Sequence, residues 1–574
     1  MESAPSAVAA APDGAAGASP WGARARSAAL HVLVAGVVTW PLVLRPLTRL
    51  VGHPEVDVWN HAWGPWWFAA SLARGEVPLV TRLLGAPGGG RLWYIDPLGA
   101  LMGAPLVGTF GAIGAYNVVI FAYVLLASFA GRRLALALGA TPAAAWLAAV
   151  GTACSPYLLS EIHNGVSEAC GVAWAVLALG SLARATTPGR PFARNLVTWA
   201  GVGLWGGVTA VGSVYYALGL ALVAAPVVLV DLVRTRLRSL PGVLVGAGVA
   251  GVVAVPALAA AAWSVADLAH ALVHRDQGHW TERMHVIRHN AVDPRSFLIP
   301  GFQSVDLTKL GESFLHSSYL GWVALLAVPF ARRHAWLLAA LVGLVFSLGP
   351  FLWWDQELVR GPDGRPLVLP FYVFLDVLPA GVVGHPQRVG APAIALVAAL
   401  AAVGLSRAKP WMVRAAPWVA AVELLLASPW PVPGSEFPDR AVARRIRADA
   451  ATRGLQGWAV VLDLPADAPG RGMLPSRYLL GQTFHGAPIP YAPDVRMNTS
   501  RLAPVASVQA LVNAAVTGGS AEELARAGVG WVVLHRDIGD TALAEERLRA
   551  WLGEPEAHGD ALLFLVPDPT RPKG

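Results

Sequence analysis

The chain has 574 residues, 55% of them hydrophobic and 14% charged, with a formal net charge of +7 and a mean hydropathy of +0.52. An ordinary soluble domain carries about 25% charged residues, so this composition excludes a water-soluble protein and requires lipid to solvate much of the apolar surface. The basic balance does not point to nucleic acid, because the arginines sit in short clusters between apolar runs, as they do in cytoplasmic loops.

In lipid every backbone polar group needs an internal partner, which leaves helices or closed barrels. The long, non-alternating Ala/Leu/Val runs select helices. Residues 1–22 are Ala/Pro/Gly/Ser-rich and are expected to be a disordered tail. Arg24 and Arg26 precede a first apolar run at 27–44, read as a retained anchor. Further spans long enough to cross a bilayer fall near 114–131, 142–159, 168–183, 196–212, 216–232, 241–263, 316–331, 334–351, 388–405 and 410–428. Residues 97–112 read as a partial or re-entrant helix. The expected fold class is an all-α polytopic membrane domain of about 11–13 helices over 23–430, followed by a small α/β domain over 435–574. Strand-like segments in that second domain are 458–465, 531–535 and 561–567, and helix-like ones are 505–517, 521–528 and 541–552. The two cysteines, Cys154 and Cys170, give neither a disulfide framework nor a zinc pattern.

Orientation follows from the basic clusters. Arg24/Arg26, Arg132/Arg133, Arg184/Arg190/Arg194, Arg234/Arg236/Arg238, Arg332/Arg333 and Arg407/Lys409 mark every second connection. Placing them in the cytoplasm puts the N-terminus inside and the C-terminal domain outside. The outer connections are then 45–113, 160–167, 213–215, 264–315 and 352–387.

Ionisable residues against a membrane domain are costly and are therefore functional candidates, and here they gather on the outer side. Asp57 and His61 are four apart and would share a helix face, with Trp59, Trp63, Trp66, Trp67 and Phe68 laying that helix in the membrane interface. Asp57 would equally serve as a helix cap. Asp96 precedes Pro97, a cap followed by proline at the first helical position. Glu161, His163, Asn164 and Glu168 crowd one short connection, and Glu168 falls at the apolar boundary. His270, His274, His279, His285 and His289 sit in the 264–315 loop, where i,i+4 pairs would suit a metal but loose solvated histidines are the commoner outcome. Residues 361–364 form a turn. His385, Gln387 and Arg388 then enter a span, where the planar Arg388 fork would either snorkel or hold a phosphate.

Several phrases together carry a family resemblance. VDVWNHAWGPWWFA, LLGAPGGGRLWYIDPLGALMGAPL, GAYNVVIFAYVLLASFAGRRLALALGA and SPYLLSEIHNG resemble the first third of bacterial membrane proteins of the GT-C glycosyltransferase superfamily. DPRSFLIPGFQ, LPFYVFLDVLPAGVVGHPQRVG, VLDLP, QTFHGAPI and GVGWVVLHRD resemble an uncharacterised branch related to YfhO-like proteins. The resemblance implies a polyprenyl-phosphate-linked sugar as donor, an envelope glycan, lipid or protein as acceptor, and chemistry on the outer face of a bacterial inner membrane. By position it implies Asp57 as the catalytic acidic residue with His61 beside it. Many relatives show an Asp-Glu or Glu-x-Asp pair there instead. Arg388, His163 and Gln387, or a bound divalent cation, would meet the leaving phosphate, and Asp96, Glu161, Asn164 and Glu168 would support them. Two other readings compete: a lipid-linked glycan transporter, which would need charges along the bundle axis and internal repeats, and a non-catalytic scaffold of envelope glycan assembly.

Overall fold

The computed structural model of the chain describes residues 20–189, 191–273, 284, 286–300, 314–355, 357–377, 384–466, 474–491, 500–501, 512–513, 515–516, 521–567 and 569. Helices long and apolar enough to cross a membrane run Pro97–Ala137, Ser167–Ala185, Val214–Arg234, Leu240–Ser264 and Pro386–Leu405, with shorter apolar helices at Trp322–Ala331 and His334–Ser347. Pro20–Val38, Phe192–Gly212 and Pro410–Leu426 pack among them. The fold is that of a multi-pass, mostly helical membrane protein with a small sheet near its C-terminal end.

Small residues decide which helix is central. Pro386–Leu405 is buried along its whole apolar window, whereas the window of Leu240–Ser264 is 11% buried and faces outward. Along the central helix, a Cβ on Gly390 would meet the Ser347 Cβ at 2.4 Å, and one on Gly404 would meet the Ala327 carbonyl oxygen at 2.0 Å. Gly219 and Gly343 of neighbouring helices lie as close to Val389 and Ala393. Without a hydrophobic force between helices in lipid, such backbone approaches supply the packing.

Several expectations are corrected. The helix starts at Pro20, so residues 20–22 are not tail; residues 1–19 lie outside the described residues. The 142–159 span breaks at Cys154 into Ala145–Ala153 and Pro156–His163, because Ser155 caps the second piece by accepting from Leu158 N and Pro156 opens it. Residues 97–112 join the following span in one kinked helix, Pro97–Ala137, bent where Gly111 takes φ 69°. The 316–331 helix begins only at Trp322, where a carboxylate from another helix caps it. Glu423, within Pro410–Leu426, accepts from Trp322 N at 2.6 Å, Val323 N at 3.3 Å and the Tyr319 hydroxyl at 2.5 Å.

In the C-terminal part a four-stranded sheet is ordered Glu556–His558, Ala561–Leu565, Val529–His535, Val460–Leu464; the last pair is parallel and the others antiparallel. Val460–Leu464 and Val529–His535 are buried at every position, as continuous apolar strands covered on both faces are. Helices Arg440–Arg453, Leu474–His485, Ala521–Arg526 and Ala542–Leu552 pack on it. Most of the helix expected at 505–517 lies outside the described residues.

The first loop joins this unit to the membrane helices. Leu50–Val51 pairs antiparallel with Gly434–Ser435, and Gly90–Leu92 pairs with both Val80–Thr81 and Ser500–Arg501. The Val58–Ala73 helix lies against Leu474–His485. Its Trp63 Nε1 donates to Gln482 Oε1 at 2.8 Å, and the Trp63 and Trp67 rings stack 5.1 Å apart, fully buried. These tryptophans therefore do not float the helix in the lipid interface: protein covers them, and Gln482 satisfies the indole that lipid headgroups would otherwise have met.

Candidate functional site

Two glycines seat the loop that carries Asp57. Asn117 first pins the chain before it, its Oδ1 accepting from Val51 N at 3.0 Å and its Nδ2 donating to the Pro46 and Arg49 carbonyls, both at 2.6 Å. Gly165 (φ 69°) then presses on the first residue of the next helix: a Cβ there would meet Val58 Cα at 2.6 Å and Val58 N at 2.7 Å. A Cβ on Gly52 would meet Gly165 Cα at 3.0 Å. This packing sets His53, His163 and Asp57 around one backbone junction. His53 N donates to the His163 carbonyl at 2.8 Å, and the two imidazoles stack with centroids 5.3 Å apart. His163 Nδ1 has no hydrogen-bond partner among the described residues. Asp57 is half-buried at the head of Val58–Ala73, and its carboxylate makes no cap bond.

One turn further along that helix the character changes. His61 N takes the Asp57 carbonyl at 3.3 Å, and the His61 side chain is buried. Its Nδ1 lies 2.9 Å from Ser167 Oγ, its Nε2 3.5 Å from Glu168 Oε2. Ser167 Oγ in turn donates to Asp96 Oδ2 at 2.5 Å. Asp96 also caps the Pro97–Gly103 helix by accepting from Gly99 N at 2.8 Å, and Tyr123 donates to it at 3.3 Å. Arg388 closes the cluster: its Nη1 donates to Glu168 Oε1 at 2.8 Å, while Nε and Nη2 reach the two Glu161 oxygens at 3.4 and 3.3 Å. The Arg388 fork, the feature suited to phosphate, is thus spent on two buried carboxylates.

Proton counting constrains the chain Asp96–Ser167–His61–Glu168. With Ser167 donating to Asp96, Ser167 must accept from His61 Nδ1–H, and a neutral His61 would then turn a lone pair toward the Glu168 carboxylate. One extra proton removes the conflict, whichever of the linked groups carries it.

Two of the remaining sequence candidates hold backbone, and His385 meets a hydroxyl. Asn164 clamps Leu315 at two points, Nδ2 to its carbonyl at 2.7 Å and Oδ1 from its N–H at 2.9 Å. Gln387 Nε2 donates to the Ser317 carbonyl at 3.4 Å. His385 Nδ1 meets the Tyr215 hydroxyl at 3.0 Å. His53 and Ser167 escaped the sequence reading; the signals were a glycine before His53 and the Ser-Glu pair at 167–168. Of the loop histidines, His289 is buried, whereas the side chains of His270, His274, His279 and His285 lie outside the described residues. Among the described residues no three His, Cys, Asp or Glu side chains converge as a metal site.

Solved structures resemble the whole arrangement. ArnT from Cupriavidus metallidurans, in the apo state, aligns over 95% of this chain and 99% of its own with a TM-score of 0.51 and 16% identity. The chain has a GT-C glycosyltransferase fold. A variant of the arabinofuranosyltransferase AftD from Mycobacteria aligns at a TM-score of 0.50 and 17% identity over 94% of this chain and 41% of AftD. A second structure of the Cupriavidus ArnT, bound to undecaprenyl phosphate, aligns at 0.48 and 14% identity over 97% of this chain and 100% of its own. No protein-family model matches the sequence, and no curated protein does. On this fold Asp57, less buried than Asp96, Glu161 and Glu168, stands on the first large loop, beside the joint with the C-terminal sheet domain.

Proposed function

We propose that the chain transfers a sugar from a polyprenyl-phosphate-linked donor to an envelope glycan, lipid or protein acceptor, with Asp57 as general base. The observation that carries this reading is a contrast among four carboxylates of the site. Asp96, Glu161 and Glu168 are buried, whereas Asp57 is only half-buried and so within reach of solvent. The GT-C fold supports the class of reaction, since ArnT, similar along its whole length, is a protein that has been seen with undecaprenyl phosphate; fold alone would not fix the activity.

In this mechanism the Asp57 carboxylate takes the proton of the acceptor group as its heteroatom attacks the anomeric carbon. The bond from that carbon to the lipid phosphate oxygen breaks, and the phosphate leaves with the bonding pair. Attack opposite the leaving group inverts the sugar. To His163, whose Nδ1 has no partner among the described residues, and to His53 stacked on it we assign donation to the departing oxygen. Arg388 is a positioning residue here, holding Glu161 and Glu168 and through Glu168 the His61 ring. Topologically, the N-terminus is cytoplasmic and the C-terminal domain extracytoplasmic in a bacterial inner membrane, following the alternation of basic clusters. A reporter active only outside the cytoplasm, fused after Gly574, should then be active.

The deciding experiment offers purified protein in bilayer discs a panel of polyprenyl-phosphate sugars and envelope fractions. Transfer with inverted anomeric configuration is expected. Absence of transfer from every donor would remove the enzymatic reading and leave the scaffold one.

A further inference from the structure

The Pro20–Val38 helix ends on the same side of the bundle as Pro410–Leu426, since the Trp430 indole donates to the Val37 carbonyl at 2.8 Å and Val432 N to the Trp40 carbonyl at 3.1 Å. The segment that follows leaves its apolar side chains outside: Trp40 is 42% exposed, Leu44 65% and Leu47 51%. They begin two residues past the end of the Pro20–Val38 helix, which the sequence reads as an anchor, and so fall where an anchor meets the bilayer interface.

Immediately beside them stands the Arg440–Arg453 helix. Arg440 Nη2 donates to the Thr48 carbonyl at 2.8 Å, and Arg49 pairs with Glu436 at 2.6 Å, tying the first turn of that helix to the segment. The helix sorts its arginines by face. Arg445 and Arg453 pair with Glu556 and Asp449 on the domain side. Arg444 and Arg447, which share a stripe with Arg440 at helical spacing, are exposed and have no ion pair among the described residues. Exposed Arg45 lies within the apolar segment and is likewise unpaired among them.

We propose that this combined face, residues 40–48 with Arg440, Arg444 and Arg447, binds the headgroups of anionic lipids in the bilayer the protein spans. Apolar side chains enter the acyl boundary while guanidinium groups meet phosphate through paired N–H donors, the two-signal arrangement of stable interfacial contacts. Such binding does not rest on the proposed transfer reaction.

The test uses the full chain in bilayer discs of mixed phosphatidylcholine and phosphatidylglycerol, with retained lipids counted by native mass spectrometry. Phosphatidylglycerol should be enriched over its bulk share. Each arginine near an anionic surface strengthens association about fivefold. The Arg444→Gln/Arg447→Gln double variant should therefore lose most of the enrichment, and high salt should do the same. Slow hydrogen exchange in the 460–464 strand serves as the check that the variant is folded. Equal enrichment in a folded double variant, or none in the unmodified chain, overturns the proposal. So does slowed exchange of the Arg440–Arg453 helix by a soluble acidic polysaccharide in pure phosphatidylcholine discs that phosphatidylglycerol does not reproduce, which would assign the face to a polymer.

Discussion

Asp57 and His61 stand one turn apart on the same helix and live in different media. Around His61 every charged partner is buried: Arg388 holds Glu161 and Glu168, and Asp96 joins through Ser167. Near Asp57 on the same junction His53 and His163 are half-buried, His163 Nδ1 has no partner among the described residues, and glycine backbone fixes the spacing. Carboxylate and histidine occur in both groups and do not separate them. Solvent access does: it suits the inner group to holding helices together and, on the proposed reading, the outer one to chemistry.

Substitutions can break that division. Asp57→Asn should lower sugar transfer by about 10²–10⁴-fold, the usual loss for a general base, with the thermal unfolding temperature unchanged; full activity in the variant would move the base elsewhere. Arg388→Ala should act on the fold, costing about 3–5 kcal/mol because it strands two buried carboxylates. The triple change Arg388→Met, Glu161→Gln, Glu168→Gln should recover part of that stability. If Arg388→Ala stays folded and fails only in donor binding, the inner group is not a scaffold.

How much of this could be read in the chain depended on range. The spans were legible from apolar runs, the Asp96 cap from Asp-Pro, and the sheet from VVLDL and WVVLH. Arg388 was legible as an unusual residue, but its partners lie 220 and 227 positions away and no local pattern names them. The Trp-rich helix was misplaced because an aromatic stripe has the same spacing whether lipid or protein covers it; only Gln482, more than 400 residues later, decides. Gln387 reads from the sequence as a phosphate ligand and Asn164 as its support, because a polar side chain near lipid does not announce whether it serves a ligand or a carbonyl.

The C-terminal domain offers a third ionic group against which to sharpen the comparison. His535 is buried with Nε2 at 2.9 Å from Asp463 and Nδ1 at 3.4 Å from Asp439, while Arg477 holds Asp439 and Asp537. Burial alone would lower the imidazole, but the bonds to Asp439 and Asp463 outweigh it and lift it to about 9. Burial likewise works against ionised Asp439, yet His535 and Arg477 bring it down to about 2. The His535 contribution is therefore whole below its ordinary value of 6.5 and fades as pH climbs through 9. The Asp439 contribution is whole above 3.8 and fades as pH falls toward 2. Stability of this domain, followed by hydrogen exchange in the 460–464 strand, should drop as pH climbs through 9 and as it falls toward 2, while buried Asp463, held above its ordinary value by burial, works the other way just above 3.8; His535→Gln should erase the alkaline drop. The smallest expected effect is Gly165→Ala, about 1–3 kcal/mol from the left-handed backbone and the contact with Val58. It should reduce transfer by displacing Asp57, and unaltered turnover would show that the junction does not set the spacing.

The cap supplied by Glu423 bears on how the protein is made. The helix starting at Trp322 is short, and its first N–H groups find their acceptor on a segment about a hundred residues later in the chain. A ribosome delivering the chain in order must release Trp322–Ala331 toward the membrane before Glu423 is present, with only the Tyr319 hydroxyl, 3.3 Å from Trp322 N, to meet the helix start, a state hydrocarbon tolerates poorly. That helix start therefore settles fully only when Pro410–Leu426 arrives, which would make Glu423 a checkpoint of biogenesis: Glu423→Ala should leave the early helices inserted and stall the chain as a protease-sensitive intermediate around residue 322.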